Sequence, residues 1–450
     1  MVSLFNSTAK RTMSTILGRK SMIAVCQMTS DNNLEDNFKT CRSMILRAKE
    51  QNCKMIFFPE CFDFIGRTKE EQISLSMSDE SPFIQKFRNE AIENNIWLSL
   101  GGLHHKEDES MPWNTHLIID NEGKTRVKYH KLHLFDLEIP GKVKLLESEF
   151  SKAGVKMVPP VETPIGNLGL SICYDLRFAE LGIWNRKKGA QILSYPSAFT
   201  LNTGLAHWEA LLRARAIETQ CYVVAAAQTG KHNDKRMSYG HAMVVDPWGA
   251  VVAQCSERIG MCFAEVDLEY VDELRKMQPV FDHRRKDLYT LHVNEIDEES
   301  STLMFSTFPI APECIFFRSA HSFAFVNLKP IVEGHILVSP KKAHKNLTDL
   351  SDEETADLYI TAKKVQKMLQ KVYGNDSTTV CVQDGTEAGQ TVQHVHVHVV
   401  PRRKGDFEPS QNDFYEKLLS HDKEPERAAR SLEEMSVEAN TFRLKMKEVL

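Results

Sequence analysis

Met22-Ile23-Ala24-Val25-Cys26-Gln27 is an apolar run without alternation, and behind it Leu34, Phe38, Cys41, Met44, Ile45 and Ala48 recur at helical spacing on one face. The first reads as a buried strand and the second as a helix laid against it. Residues 55–58, 97–100, 168–172, 192–195 and 222–227 are further short apolar runs. Segments between them, such as 206–219, are long and rich enough in helix formers to be helices. This alternation from residue 22 to about 287 predicts an α/β sandwich. Turn residues at Asn121-Glu122-Gly123 and Asp246-Pro247-Trp248-Gly249 part alternating strands, so mixed sheets are expected rather than purely parallel ones.

At 450 residues and 42% hydrophobic composition the chain can bury more than one core, and two domains are expected. Residues 288–302 are acidic and polar without sustained apolar period, the composition of an exposed connector. Beyond it, residues 303–450 show strand patterns at 322–326, 336–339, 378–382 and 395–400 around one long helix, 352–373, which predicts a smaller α+β domain. After Arg402 the sequence is charged, with a loop expected through Pro409 and a last helix near 432–450.

A net charge of -5 provides no field for nucleic acid or a membrane surface, and no apolar run approaches the roughly 18 residues needed to cross a bilayer. Ten cysteines without a CxxC pair argue against a disulfide framework and for a reducing compartment. Residues 1–20 form a basic tail with Lys10, Arg11, Arg19 and Lys20, and no acid precedes Asp31. The main expectation is the cytoplasm; the tail has the composition of a mitochondrial presequence, and Met13 offers a second start that removes much of it.

Cys173 ends the run Leu168-Gly169-Leu170-Ser171-Ile172 and precedes Tyr174-Asp175, a thiol where a buried strand turns toward a helix with backbone amides to face it. Taken alone it reads as an ordinary core cysteine, one of ten. Phe57-Phe58-Pro59-Glu60 puts a carboxylate just past a strand end, and Tyr129-His130-Lys131-Leu132-His133 puts an ammonium at the end of a hairpin strand. In isolation these read as a helix cap and a solvated edge residue. Together they form the Glu, Lys and Cys pattern of the nitrilase superfamily. Residues 21–287 resemble that superfamily throughout, including Phe58-Pro59-Glu60, His130-Lys131-Leu132-His133-Leu134-Phe135 and Ser171-Ile172-Cys173-Tyr174-Asp175.

The resemblance implies an αββα sandwich in which Cys173 attacks a carbonyl and Glu60, with a raised pKa, carries protons between thiol, amine and water. It casts Lys131, with the Tyr174 amide, as oxyanion stabiliser, and Glu147 as a second glutamate that orients substrate or Lys131. Superfamily members act on nitriles, amides or carbamoyl compounds. Lys131-Leu132-His133-Leu134-Phe135-Asp136 and Ala198-Phe199-Thr200 resemble more closely the eukaryotic Nit group, which implies amide hydrolysis and, more narrowly, deaminated glutathione.

His394-Val395-His396-Val397-His398 alternates, and strand side chains have period two, so three imidazoles share one face while Val395 and Val397 enter the core. Neutral imidazoles bind zinc, and clustered histidines also act as nucleophile and proton carriers; residue type alone leaves both open. The run through Val400 is the histidine triad motif. With Asn327-Leu328-Lys329-Pro330, Gly334-His335-Ile336-Leu337-Val338-Ser339-Pro340 and Gln383-Asp384-Gly385 it resembles the Fhit branch of the histidine triad (HIT) superfamily. That resemblance implies a dinucleoside polyphosphate substrate, typically diadenosine triphosphate, cleaved to AMP and ADP through a nucleotidyl-histidine on His396.

It further implies that His394, His398 and His335 set the tautomer of His396, bind phosphate oxygens and supply a proton. Gln383 and the amides of Gly389, Gln390 and Thr391 would donate to phosphate, and Asn327 would contact ribose. Phe316 and Ile336 are candidates to flank adenine or to pack in the core. No zinc or tightly bound cofactor is implied, and a divalent cation (Mg or Mn) would assist only through the substrate phosphates. The order of the two domains resembles that of invertebrate proteins that join them in one chain, which implies a homotetramer with nitrilase-like domains at its centre. The alternative in another class is a nucleotide-occupied Fhit-like signalling module attached to an amidase scaffold.

Overall fold

In the computed structural model, which describes residues 20–108, 111–139, 143–285, 288, 289, 291, 293, 302–407, 413–420 and 428–449, the strand Lys20–Met28 is hydrogen-bonded on both edges. Met55–Phe58 runs parallel to it on one side. On the other, Gly260–Asp267 runs antiparallel along most of its length and Ala227–Lys231 takes over at Gln27 and Met28. Residues Ile23–Cys26 are wholly buried, as a run without alternation demands. The sheet continues through Trp97–His105, Trp113–Ile119 and Thr125–His130, with Met237–Tyr239 at its far edge. Helices Leu34–Glu50 and Pro82–Asn94 cover it through Phe38, Cys41, Met44, Ile45, Ala48, Ile84, Phe87 and Ala91.

A second sheet, in the order Val251–Gln254, Met243–Val245, Tyr222–Ala225, Ile192–Ser194, Gly166–Leu170, Val161–Thr163, is also mixed, and helices Ala179–Lys187 and Leu201–Thr219 pack on it. Two sheets between two helix layers make the αββα sandwich. The apolar run at 222–227 is not one strand. It breaks at Ala226, with Tyr222–Ala225 in the second sheet and Ala227–Lys231 in the first. Ala225, Ala226 and Ala227 are all buried at the crossing, so hydrophobic period carries no mark of the change of sheet. The crossing is held by Ser197, whose amide donates to the Ala226 carbonyl and whose carbonyl accepts from Gln228.

The chain divides into units Met1–Leu291 and His292–Leu450. The basic tail through residue 19, most of the connector 288–302 and Pro409 lie outside the described residues. In the second unit five antiparallel strands follow the order Ile315–Arg318, Ser322–Val326, Ile336–Pro340, Val397–Pro401, Thr378–Val382. Helix Asp352–Tyr373 starts at a capping box of Ser351 with Glu354 and stops at left-handed Gly374. It packs with helix Leu432–Met446 on one sheet face, over Ala324, Ile336, Val338, Val395, Val397 and Val399. Ile315–Arg318, the three-residue hairpin strands Leu303–Phe305 and Phe308–Ile310, and helix Asp413–Ser420 were not expected from the sequence, since such short segments carry little period.

One glycine fixes how the first unit closes around its reactive end. A Cβ on Gly101 would stand 2.2 Å from the Phe58 carbonyl oxygen and 2.2 Å from Pro196 Cβ. Neither neighbour is a flexible side-chain end, so Gly101→Ala should destabilise this unit by about 1–3 kcal/mol. All five tryptophans lie in the first unit, so their fluorescence during denaturant unfolding reports it alone. An unchanged tryptophan midpoint would refute the close approach.

Candidate active sites

The turn after Met55–Phe58 delivers Glu60, and the end of Thr125–His130 delivers Lys131, whose amide donates to the Asn114 carbonyl. Lys131 is only 1% exposed, and its Nζ lies 2.8 Å from Glu60 Oε1 and 2.8 Å from Glu147 Oε2. Asn114 Nδ2 donates to both carboxylates, at 2.9 and 3.2 Å, and the Phe135 amide donates to Glu147 at 2.8 Å. An ammonium removed from water needs this many partners.

Cys173 follows strand Gly166–Leu170 at a tight turn and has φ 45°, a left-handed backbone that costs of order 1–3 kcal/mol for a residue with a Cβ. Its amide donates to the Pro196 carbonyl at 2.8 Å. Asp175 anchors the turn, accepting from the Ile172 amide, the Tyr129 hydroxyl, and the amide and Nδ1 of His133. Thus the amide of Cys173 itself is occupied, and the amide that bonds the sulfur is that of Ala198. Glu60, Lys131, Glu147 and Cys173 all line one cavity of about 810 Å³, with Phe135 and Tyr174.

Burial pushes the Glu60 carboxyl up, but the Lys131 charge and hydrogen bond, with Arg236 and the Cys173 thiol, outweigh it and hold it below its ordinary 4.5. The expectation of a raised value is therefore reversed: desolvation alone would raise it, and the buried cation wins. Burial also lowers Lys131, yet Glu147, then Glu60 and Cys173, hold it well above 10.5. For Cys173, burial and then the Glu60 charge raise the thiol well above 9.0, against Lys131 and the Ala198 amide. The site at neutral pH is thiol, carboxylate and ammonium.

In the second unit strand Val397–Pro401 begins later than expected, so His394 and His396 precede it, but the alternation holds: Val395, Val397 and Val399 face the helices. His396 Nδ1 lies 2.8 Å from the His394 carbonyl, which can only accept; the hydrogen is on Nδ1 and the reactive lone pair on Nε2. His394 is fixed at both nitrogens: Nε2 donates to the Pro340 carbonyl at 2.9 Å and Nδ1 accepts from the Ser306 amide at 2.8 Å. Its ring therefore has no nitrogen for phosphate, and it acts on His396 through its backbone. His335 Nδ1 accepts from the Ile331 amide, so its Nε2 donates across 3.0 Å to His398 Nδ1, which places the His398 hydrogen on Nε2. The rings of His396 and His398 are 4.7 Å apart.

Asn327 is buried and its Nδ2 lies 3.4 Å from both nitrogens of His335. Gln383 is buried against Gly389, where an added Cβ would sit 2.6 Å from its Nε2. The Gln390 side chain is taken up by the Gly385 amide and the Lys345 carbonyl. The amides of Gly389 and Gln390 turn inward to the Thr386 and Gly385 carbonyls, and Gly389 and Gln390 are buried whereas Thr391 is exposed. Phe316 and Ile336 lie in the helix-side core, Phe316 with its ring 5.3 Å from that of Phe442, so packing accounts for both. The sequence reading missed Asn114, Asp175 and Arg236 in the first site, and Phe305 and Ser306 in the second. The Phe305 ring lies 5.5 Å from that of His394 and 5.1 Å from that of His396. Of these only Asp175 stood inside a quoted motif.

A Carbon-nitrogen hydrolase family model matches residues 22–276, and a HIT domain model matches residues 310–405. The chain is 66% identical, over 98% of its length and 99% of the relative's, to the nitrilase and fragile histidine triad fusion protein NitFhit of Caenorhabditis elegans. It is 51% identical to the deaminated glutathione amidase of Bos taurus over 60% of this chain and 83% of that protein. The crystal structure of the C. elegans NitFhit protein superposes with a TM-score of 0.78 at 64% identity, covering 95% of this chain and 99% of that one. With both reactive centres in place and both halves matched, the chain belongs to the family of nitrilase and fragile histidine triad fusion proteins.

Proposed function

We propose that the chain is a bifunctional hydrolase: a cysteine-dependent amidase acting on deaminated glutathione, joined to a hydrolase that cleaves diadenosine triphosphate to AMP and ADP. The amidase assignment rests on one observation, an ionised Glu60 held against the Cys173 thiol beside a buried ammonium. As Sγ attacks the amide carbonyl, Glu60 takes the thiol proton, and charge growing on the carbonyl oxygen is met by Lys131. Glu147 orients Lys131. The intermediate collapses when Glu60 gives its proton to the departing amine; water, deprotonated by Glu60, then hydrolyses the thioester and restores the thiol.

In the second unit His396 Nε2 attacks the α-phosphorus and the bond to the leaving nucleotide breaks, with His398 Nε2–H as the proton source. His335 and Asn327 hold His398 in that tautomer. The resulting nucleotidyl-histidine is hydrolysed to AMP. Gln383 and the Gln390–Thr391 loop line the phosphate side, and Asn327 remains a candidate ribose contact. A divalent cation, Mg or Mn, assists by neutralising the substrate phosphates and travels with them. The same proposal includes a homotetramer located in the cytoplasm, with a mitochondrial form directed by the basic segment; light scattering that returns a smaller assembly would remove the tetramer.

Cys173→Ala should abolish amide hydrolysis and leave diadenosine triphosphate turnover intact; residual amide turnover would sink the nucleophile assignment. His396→Asn should bind nucleotide yet lose turnover by on the order of 10³-fold or more, while wild type yields a nucleotidylated His396 peptide by mass spectrometry. Full activity in that variant would exclude the covalent route, and retained cellular effect without turnover would favour the signalling alternative. Lys131→Met should cost about 3–5 kcal/mol at pH 7 by stranding two carboxylates. In wild type the contribution of Glu60, whose folded pKa is depressed, is present above its unfolded value and lost as pH falls through the folded one. In the variant its folded pKa rises, and acid relieves the strain. The difference in stability between the two should therefore shrink as pH falls from 7 toward 4.5; a constant difference would contradict the charge account.

A further inference from the structure

The turn that carries Glu60, Glu60-Cys61-Phe62-Asp63-Phe64, is buried throughout, and Asp63 within it is wholly withdrawn from water. A carboxylate in that position needs donors and a counter-charge. Asp63 accepts from the Phe64 amide at 2.8 Å, from the His104 amide at 2.9 Å, and from His104 Nδ1 at 3.0 and 3.1 Å on its two oxygens. His104 stands on strand Trp97–His105 with its ring 4.2 Å from that of Phe64, and it lines the same cavity as Glu60. Burial lowers this imidazole, but the Asp63 charge and hydrogen bond, with the Cys61 thiol, push it up to about 10.

A protonated imidazole carries a hydrogen on each nitrogen. The one on Nδ1 goes to Asp63, so the bond to the Cys61 thiol comes from Nε2. Cys61 has φ 57°, a left-handed backbone that persists only where the surroundings over-determine it. Its amide donates to the Gly102 carbonyl at 3.0 Å, and Gln228 Nε2 donates to the carbonyls of Glu60 and Cys61 at 3.0 and 3.1 Å. The bond from His104 is the side-chain hold on the same turn. A Cβ on Gly102 would stand 2.9 Å from Glu60 Cα, so strand and turn touch where the Glu60 side chain begins.

Glu60 changes charge within a turnover. As a carboxylate it is tied to Lys131, but once it has taken the thiol proton the ionic part of that tie is gone. Its place beside the departing amine then depends on the turn. We propose that Asp63 and His104 are positioning residues, whose ion pair, acting through Cys61, holds the protonated Glu60 where it delivers its proton to the leaving amine. The inference rests on the amidase assignment and adds two residues to the step in which the amine departs.

The test compares the full chain on deaminated glutathione, whose amine leaves only with a proton, and on 4-nitrophenyl butyrate, whose nitrophenolate leaves as an anion. Only turnover that Cys173→Ala abolishes is counted. His104→Gln and Asp63→Asn should lower kcat on the amide by about 10- to 100-fold with little change in KM, and lower ester turnover by less than about threefold. Cys61→Ala, a small truncation that keeps the backbone, should show the same split to a smaller degree. In His104→Ala, added imidazole should restore part of the amide kcat, because its cation donates at both nitrogens, whereas 1-methylimidazole, with one N–H, should not. Amide and ester falling in equal proportion, as a folding defect would make them, or undiminished amide turnover in these variants, overturns the inference while the amidase stands. Rescue by both imidazoles alike would also overturn it. If wild type hydrolyses neither substrate in a Cys173-dependent way, the amidase assignment itself fails and takes the inference with it.

Discussion

A fully buried ammonium, Lys131, governs the first site. Desolvating it alone would cost several kcal/mol, and only carboxylates in good geometry return that energy. Glu60 arrives from a strand end and Glu147 from a short turn after the hairpin Asp136–Ile139 and Val143–Leu146, so the cation ties together segments far apart in sequence. Asn114, from a neighbouring strand, bonds both acids. The tie decides protonation as well as position. Without Lys131, burial would make Glu60 an acid; with it, Glu60 is a base at neutral pH.

The second site is organised by directional hydrogen bonds instead. Three of the rings meet backbone groups of fixed polarity, the His394 carbonyl, the Pro340 carbonyl, the Ser306 amide and the Ile331 amide, and His398 takes its tautomer from His335. A carbonyl can only accept and an amide can only donate, so backbone geometry chooses the tautomers of His394, His396 and His335 directly and that of His398 through His335. The strand register then places the chosen atoms. His398 lies opposite Leu337 and Cys381 on the face away from the long helix, and the Leu303–Phe305 hairpin strand brings Phe305 against His394 and His396.

The layers were legible because buried strands and amphipathic helices repeat with different periods, and Lys20–Met28, Leu34–Glu50 and Asp352–Tyr373 carry long, clean patterns. The crossing at Ala226 was not, since a buried residue looks apolar in whichever sheet it sits. Glu60, Lys131, Cys173 and the histidines stood out as reactive types inside recognisable strings. Asn114 and Arg236 did not, because their importance comes from what they approach across the fold. The same limit explains Glu60: residue type says that burial should raise its pKa, and only the position of Lys131 reverses the sign. His394 shows the converse, a motif member whose ring is wholly engaged in holding its neighbour.

The two proton inventories account for the different materials of the sites. Cys173 begins as a thiol, so its attack requires a base in contact, and the amine it expels is a poor leaving group that needs the proton returned. One group must do both, and a carboxylate beside a fixed ammonium can change roles within a turnover. His396 begins with its hydrogen on Nδ1, facing a carbonyl, and its lone pair already on Nε2. It needs no base. Its leaving group is a phosphate, which departs readily, so a single proton from a neighbouring imidazole suffices and the demand falls on alignment. A site that must move a proton twice is therefore built from charges, and one that must hold a lone pair in line is built from rings pinned by the backbone.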